Sequence, residues 1–175
     1  MKVLDLFCGL GGWSKAFADA GHQCTGVDIK NLGYPYRFIK ADLMDWKPDQ
    51  YYDVILASPP CTQFSQVVKN WTGKCNEMKG LDLVYAAFSI ILQIKPRYWV
   101  IENVKGLASF LPPQNYIIPY GKKSGSKKAY LWSNIKSLKI PEIERTLNRK
   151  AFKSSDPKLA EIPLALSQAV LNKVD

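Results

Sequence analysis

A cysteine that follows two prolines is the residue of this sequence best suited to chemistry. Cys61 comes directly after Pro59 and Pro60, and residues 51–56 before them form an apolar run that predicts a buried strand. Each proline fixes its own φ and biases the preceding residue towards extended backbone, so the thiol is presented rigidly. The carboxyl ends of strands are where open α/β sheets bind ligands, which suits a nucleophile. A lone cysteine is, however, more often a buried structural residue.

A carboxyl group follows another predicted strand. Residues 80–95 predict a long helix that Pro96 stops, and residues 97–101 predict a strand that leads into Glu102 and Asn103. If both strands belong to one parallel sheet, Cys61 and Glu102 lie at the same edge and can act on one substrate. The polar segment 62–79 between them predicts a long functional loop.

Three further strand ends carry residues typical of a nucleotide site. Strands are predicted over 2–7, 22–28 and 37–41, and a helix over 13–20. The first strand leads into Gly9-Leu10-Gly11-Gly12, whose glycines let the backbone approach a ligand closely. Asp28 ends the second strand and Asp42 follows the third, where carboxylates can accept hydrogen bonds from ribose and adenine. Each aspartate alone is as readily a helix cap or a surface acid.

Composition and length narrow the class of protein. The chain has 175 residues, 47% of them hydrophobic, with no apolar run long enough to span a membrane. We expect a single domain, 1–175. Four cysteines without a C-x-x-C pair, together with one histidine, argue against a metal site and favour free thiols. No signal peptide is evident, so we expect an intracellular, cytoplasmic protein, or one in the host cytoplasm if it is viral.

The positive charge is concentrated towards the carboxyl end. Residues 1–119 carry twelve basic and ten acidic side chains, whereas residues 120–175 carry twelve basic and five acidic ones. We expect this basic part, 120–175, to pack on the same domain and to contact a polyanion. The lysines most suited to gripping phosphates are Lys122, Lys123, Lys127 and Lys128. A solvated turn is the alternative for that segment.

These motifs, in this order, resemble the cytosine-5 DNA methyltransferases. The segment 5–12, Asp-Leu-Phe-Cys-Gly-Leu-Gly-Gly, is similar to the family's first motif, and Pro60-Cys61-x-x-Phe64-Ser65 and Glu102-Asn103-Val104 are similar to its two catalytic motifs. The sequence of residues 58–62, Ser-Pro-Pro-Cys-Thr, resembles most the short, virus-type members of the family. The resemblance implies an α/β fold with a doubly wound, mostly parallel sheet of the Rossmann-like type that S-adenosylmethionine-dependent methyltransferases share.

The resemblance also implies roles for individual residues. Cys61 would attack carbon 6 of cytosine, and Glu102 would donate to ring nitrogen 3. The target base would have to be flipped out of a duplex, and Ser65, with the four lysines, would contact the nucleic acid. S-adenosylmethionine would be bound by residues at the strand ends, namely Phe7, Gly9, Leu10, Gly11, Gly12, Asp28, Ile29, Asp42, Leu43 and Pro60.

Two departures from the family pattern keep alternatives open. The glutamine that usually follows the catalytic cysteine is Thr62 here, with Gln63 one place later. Since 73 residues run from Asn103 to Asp175, we expect no separate target-recognition domain. The leading hypothesis is methylation of DNA; the alternatives are methylation of RNA cytosine, or a weakly active or inactive nucleic-acid-binding homologue. In the last case a protein partner or a homodimer would supply target recognition.

Overall fold

The computed structural model describes residues 1–65, 75–111, 116–119, 128–138 and 162–175, with only the backbone described for 116–119 and 128–129. The strands are β1 (Lys2–Leu6), β2 (Gln23–Asp28), β3 (Arg37–Lys40), β4 (Val54–Ala57), β5 (Tyr98–Val104), β6 (Tyr116–Pro119) and β7 (Lys128–Ser133). The α-helices are α1 (Ser14–Asp19), α2 (Glu77–Ile94) and α3 (Leu164–Val174). Short 3₁₀ helices cover Cys61–Gln63 and Lys105–Ser109.

One seven-stranded sheet organises these elements, in the order β3-β2-β1-β4-β5-β7-β6. The first five strands of that order are parallel, and β7 runs antiparallel to both of its neighbours. Strands β2 and β3 extend the sheet on one side of β1, whereas β4 and β5 extend it on the other side. The switch point of the sheet therefore lies between β1 and β4. The sheet confirms the predicted α/β, mostly parallel, Rossmann-like fold.

Each face of the sheet is covered by helices because its strands alternate buried side chains between the two faces. Val3, Val54 and Leu56 point to the face that α1 and α3 cover, where Phe17 and Leu166 complete the core. On the opposite face the buried side chains pack against α2 through its residues at helical spacing, Leu81, Val84, Ala87, Ile90 and Ile91. The fold is therefore doubly wound, as such parallel sheets require.

Several element boundaries depart from the sequence prediction: β4 begins at Val54 rather than at residue 51, and β5 continues to Val104 rather than ending at residue 101. Helix α2 begins at Glu77 rather than Gly80, because the Asn76 side chain accepts a hydrogen bond from the Lys79 amide and caps the helix. The predicted loop 62–79 is correspondingly shorter at its carboxyl end. Strand β6 was not predicted, since residues 116–119 lie close to a proline-rich stretch.

The carboxyl-terminal residues that the structure describes pack on the same sheet. Strand β7 pairs with β5, and the α3 residues Leu166 and Val170 are fully buried against α1. The Ser167 hydroxyl donates to the Trp13 carbonyl. The division of 1–175 as a single domain stays a prediction. Within the described ranges, no helix is long and apolar enough to cross a membrane.

Candidate active site

The register of the parallel strands brings the predicted site residues to one edge of the sheet. Leu6 pairs with Val27 on one side and with Ala57 on the other, and Ala57 pairs in turn with Ile101. The residues that follow these four positions therefore emerge side by side. They include the glycine turn after β1, Asp28, the Pro-Pro-Cys turn after β4, and Glu102. The sheet topology thus gathers the predicted cofactor and catalytic residues.

The turn after β1 owes its shape to left-handed backbone. Phe7, Gly9 and Gly11 have φ values of 57°, 51° and 86°, and such values favour glycine. The Phe7 amide donates to the Val27 carbonyl at 2.9 Å, which ties the turn to β2. A Cβ at Gly9 would meet nothing within 4 Å, so backbone at this point borders open space. The turn can therefore approach a ligand with its main chain.

The two aspartates at the strand ends, Asp28 and Asp42, accept hydrogen bonds from backbone amides. Asp28 accepts from the Gly9 amide at 3.1 Å and from the Lys30 amide at 3.2 Å, so it connects β2 to the glycine turn. Asp42 accepts from the Met44 amide at 3.0 Å and is exposed, as is Ile29, whereas Leu43 is buried. A carboxylate oxygen has two lone pairs, so each aspartate retains capacity to accept from a ligand hydroxyl or amino group.

Side-chain hydrogen bonds on both sides hold the turn 58–65, which carries Cys61 and which we call the cysteine turn. Ser58 Oγ accepts from the Trp13 indole at 2.9 Å, on the glycine-turn side. On the β5 side, the Asn103 amide donates to the Pro59 carbonyl at 3.0 Å, and Asn103 is fully buried. Cys61 is half-buried and begins a single 3₁₀ turn that the Phe64 amide closes onto the Cys61 carbonyl at 3.1 Å. Trp13, just before α1, and Asn103 of β5 thereby fix the start of the cysteine turn.

Phe64 anchors the far end of the cysteine turn. Its side chain is 3% exposed, with its ring centre 6.1 Å from that of Phe110. A Cβ at Gly80 would lie 2.7 Å from the Phe64 ring, and a Cβ at Gly106 would lie 2.0 Å from the Phe64 carbonyl oxygen. Only glycine permits such close approach. The turn is therefore pressed between α2 and the 3₁₀ helix that follows β5.

Glu102 lies within β5 beside the cysteine turn. It is half-buried and paired in register with Leu131 of β7. Asn103, the next residue, uses its side-chain oxygen to accept from the Val104 amide at 2.8 Å while its amide group holds Pro59. Since Ile101 pairs with Ala57, Glu102 stands level with the start of the turn that carries Cys61. The two predicted catalytic residues occupy adjacent strand ends, and their roles stay predictions.

A buried carboxyl group lies beneath the glycine turn. Asp5 is 1% exposed and accepts from Ser14 Oγ at 2.8 Å, and the Tyr34 hydroxyl lies 2.6 Å from the same Ser14 oxygen. Burial raises the pKa of Asp5 to about 8, against the opposing effect of the Ser14 hydrogen bonds. Burial also raises the pKa of the neighbouring Cys8 thiol, with the Asp5 and Asp28 charges adding to it. These groups stay neutral near pH 7 and support the turn as uncharged polar packing.

Some predicted nucleic-acid residues cannot be placed. Lys122, Lys123 and Lys127 lie outside the described residues, and only the backbone of Lys128, in β7, is described. Ser65 is half-buried at the end of the cysteine turn, and Pro60 is exposed. In the ranges for which side chains are described, no group of three or more His, Cys, Asp or Glu residues is arranged to hold a metal ion.

Sequence reasoning missed the residues that hold the site together. Trp13 and Asn103 lie within a predicted helix and a catalytic motif but have no predicted role, and neither Tyr34 nor Gly106 has a predicted role. Asn103 carried a signal, since a polar residue in an apolar strand is usually buried for a hydrogen bond. The contacts of Trp13 and Tyr34 join segments that are 45 and 20 residues apart, so local sequence does not reveal them.

Comparison of the sequence with known proteins identifies the family that the chain is similar to. Residues 1–112 match the model of the C-5 cytosine-specific DNA methylase family. A probable DNA (cytosine-5)-methyltransferase of Frog virus 3 is 31% identical over 155 residues, covering 77% of this chain and 71% of the viral protein. The type II methyltransferase M.HindV of Haemophilus influenzae is 32% identical over 120 residues, covering 60% of this chain but 38% of the bacterial enzyme.

A solved structure supports the fold independently. The structure of a DNA modification methyltransferase encoded within an E. coli prophage superposes with a TM-score of 0.53 at 17% identity, covering 85% of this chain and 52% of that one. The chain thus spans about half of that structure, and less than half of the bacterial relative. A family match over most of the chain and a viral relative above 30% identity lead to one conclusion: the chain belongs to the C-5 cytosine-specific DNA methylase family.

Proposed function

We propose that this protein transfers a methyl group to carbon 5 of cytosine in DNA, with Cys61 as the nucleophile. The observation that carries the proposal is the register of β1, β4 and β5, which sets the cysteine turn between the open glycine turn and Glu102. The family match and the names of the relatives support DNA as the substrate class.

The residues at the β1 and β2 ends fit S-adenosylmethionine. The open space at Gly9 gives room for a ligand against the main chain, and the Asp28 carboxylate beside it can accept from ribose hydroxyls. Asp42 would accept from the adenine amino group, while Leu43, Ile29, Phe7 and Pro60 would supply apolar contacts. When bound, S-adenosylmethionine supplies an electrophilic methyl group.

The chain's own groups would activate the cytosine. The Cys61 thiolate attacks carbon 6, so a C–S bond forms and the electron pair of the 5,6 double bond moves towards carbon 5 and the ring. Glu102 donates a hydrogen bond or proton at ring nitrogen 3, which stabilises the negative charge that the ring acquires. After carbon 5 is methylated, its proton passes to solvent, the 5,6 double bond re-forms as the C–S bond breaks, and Cys61 leaves as the thiolate while Glu102 takes back any proton given to nitrogen 3.

The wider setting follows from the same chemistry. DNA as substrate and four free cysteines fit an intracellular protein, in the cytoplasm or the host cytoplasm. The lysines Lys122, Lys123, Lys127 and Lys128, with Ser65, are the proposed contacts to DNA phosphates. Residues 1–175 would act as one methyltransferase domain. A protein partner or a second copy that supplies target recognition stays a prediction from the sequence.

The experiment is methyl transfer from labelled S-adenosylmethionine to DNA and to RNA offered separately, with mass spectrometry of the product nucleosides. We expect 5-methyldeoxycytidine from DNA. Cys61→Ser should lower turnover on the order of 10³-fold or more, with cofactor affinity unchanged, because a hydroxyl is a far weaker nucleophile. Cys24→Ser is the matched control, since Cys24 pairs with Val3 at the opposite end of the sheet from Cys61. Product from RNA alone, or full activity of Cys61→Ser, would contradict the proposal.

A further inference from the structure

Gln63 makes a hydrogen bond that ties the cysteine turn to helix α2. Its side-chain oxygen accepts from the Asn76 amide at 2.7 Å. Asn76 is the residue that caps α2, through its side chain on the Lys79 amide at 3.0 Å. A glutamine two residues after the nucleophile is therefore joined directly to the amino end of an eighteen-residue helix that packs one face on the sheet.

A second contact joins the same two segments. Cys75 Sγ lies 3.5 Å from the Thr62 carbonyl and 3.8 Å from the Ser65 carbonyl, on either side of Gln63. The Phe64 ring, next to Gln63, is buried against Gly80 of α2. The cysteine turn is thus bound to the start of α2 by polar contacts on its outer side and by apolar packing on its inner side.

The family usually has a glutamine directly after the catalytic cysteine, at the position of Thr62 in this chain. Gln63 lies one residue later. Its amide oxygen faces the Asn76 amide, which places the side chain along α2. A glutamine held in this way supports the turn instead of replacing the missing glutamine at Thr62. The departure in sequence therefore coincides with a contact between the nucleophile's turn and α2.

We propose that Gln63 is a positioning residue, which fixes the Cys61 turn on α2 and so sets the approach of the thiol to its substrate. The proposal rests on the assignment of Cys61 as the nucleophile. Displacing a reacting group by about 1 Å costs about 10²-fold in rate, and the turn is a single 3₁₀ turn of three residues. Loss of the tether should therefore slow bond formation without weakening the cofactor site.

The test compares two substitutions of similar size. Gln63→Met removes the acceptor and keeps the length, whereas Gln63→Glu keeps an acceptor for the Asn76 amide. Single-turnover methyl transfer at saturating DNA should fall about 10- to 100-fold in Gln63→Met, with the Kd for S-adenosylmethionine unchanged, and should stay within about 5-fold in Gln63→Glu. Gln93→Met is the matched control, an exposed glutamine on α2 that should leave the rate unchanged.

Hydrogen exchange gives a readout that needs neither DNA nor turnover. The Asn76 amide is in an exposed setting, so its protection reports the bond to Gln63 directly. Exchange at Asn76 and across 61–65 should accelerate about 10-fold or more in Gln63→Met and in Gln63→Ala, and should stay slow in Gln63→Glu. If the wild type transfers no methyl group, the proposed function fails while this measurement still decides whether Gln63 holds the turn.

Three results would overturn the proposal. The first is a wild-type transfer rate in Gln63→Met. The second is a loss that appears only as weaker DNA affinity, which would make Gln63 a DNA contact. The third is unchanged exchange at Asn76 and in the cysteine turn.

Discussion

The glycine turn, 7–14, and the cysteine turn, 58–65, both follow central parallel strands and lie side by side, but they are held in different ways. The glycine turn takes its shape from its own backbone, with left-handed φ at Phe7, Gly9 and Gly11. The cysteine turn has two prolines at its start and is then held by hydrogen bonds with Trp13 just before α1, with the Asn76 amide just before α2 and with Asn103 of β5. The glycine turn is also tied to β2 through the Val27 carbonyl and the Asp28 carboxylate, but its path depends first on left-handed backbone. The path of the cysteine turn depends first on its neighbours.

This difference matches what each turn would have to do. A turn that binds a cofactor through its main chain needs a backbone path that stays fixed, and glycine provides that path. A nucleophile must also be aligned with a second group, here Glu102, and that alignment depends on contacts between elements. The cysteine turn should therefore be the more sensitive of the two to substitutions at a distance in sequence.

Gly106→Ala should have the largest effect, and it should act on the cysteine turn. The new Cβ would lie 2.0 Å from the Phe64 carbonyl oxygen, so backbone must shift. We expect a loss of about 3 kcal/mol in the free energy of unfolding, measured by urea denaturation, and a fall in methyl transfer that exceeds any change in cofactor affinity. Ser109→Ala, an exposed position in the same 3₁₀ helix, is the control. Wild-type stability of Gly106→Ala would show that Phe64 is not confined there.

The same contrast explains how far the sequence could predict the site. Apolar runs, glycines and prolines act over a few residues. They predict the strands, the order of the motifs, and the convergence of Cys61, Glu102, Asp28 and the glycine turn. The start of α2 at Glu77 was missed because Asn76 caps it from within a polar segment. The role of Gly106 was missed because it depends on where Phe64 lies in three dimensions. Local signals thus predict the strand ends, while contacts between them need the fold.

Asp5→Asn should have an intermediate effect, because it replaces the buried carboxyl group that lies beneath the glycine turn. Burial raises the pKa of Asp5 to about 8 in the folded protein, whereas the ordinary value is 3.8. The folded state therefore keeps the proton between about pH 4 and pH 8, where the unfolded state loses it. Stability from this group is fully present below pH 4 and is lost as the pH rises through that window.

The unfolding free energy of the wild type should accordingly fall by up to about 1.4 kcal/mol per pH unit between pH 5 and pH 7, relative to Asp5→Asn. Asparagine has the same size and keeps an acceptor for the Ser14 hydroxyl, but it does not titrate. Asp82→Asn, an exposed carboxylate on α2, serves as the control. Parallel pH profiles for the wild type and Asp5→Asn would contradict the buried, proton-retaining carboxyl group.

Ser58→Ala should have the smallest effect and should reach both turns, because Ser58 Oγ accepts the hydrogen bond from Trp13 that links them. Trp13 is 2% exposed, so its indole N–H would be left buried without that acceptor. We expect a loss of about 1–2 kcal/mol in the free energy of unfolding, measured by urea denaturation against the exposed-site control Ser89→Ala. If the glycine turn is held by its own backbone, the Kd for S-adenosylmethionine should change less than the transfer rate. An equal or larger change in the Kd would mean that the glycine turn depends on its neighbours at least as much as the cysteine turn does.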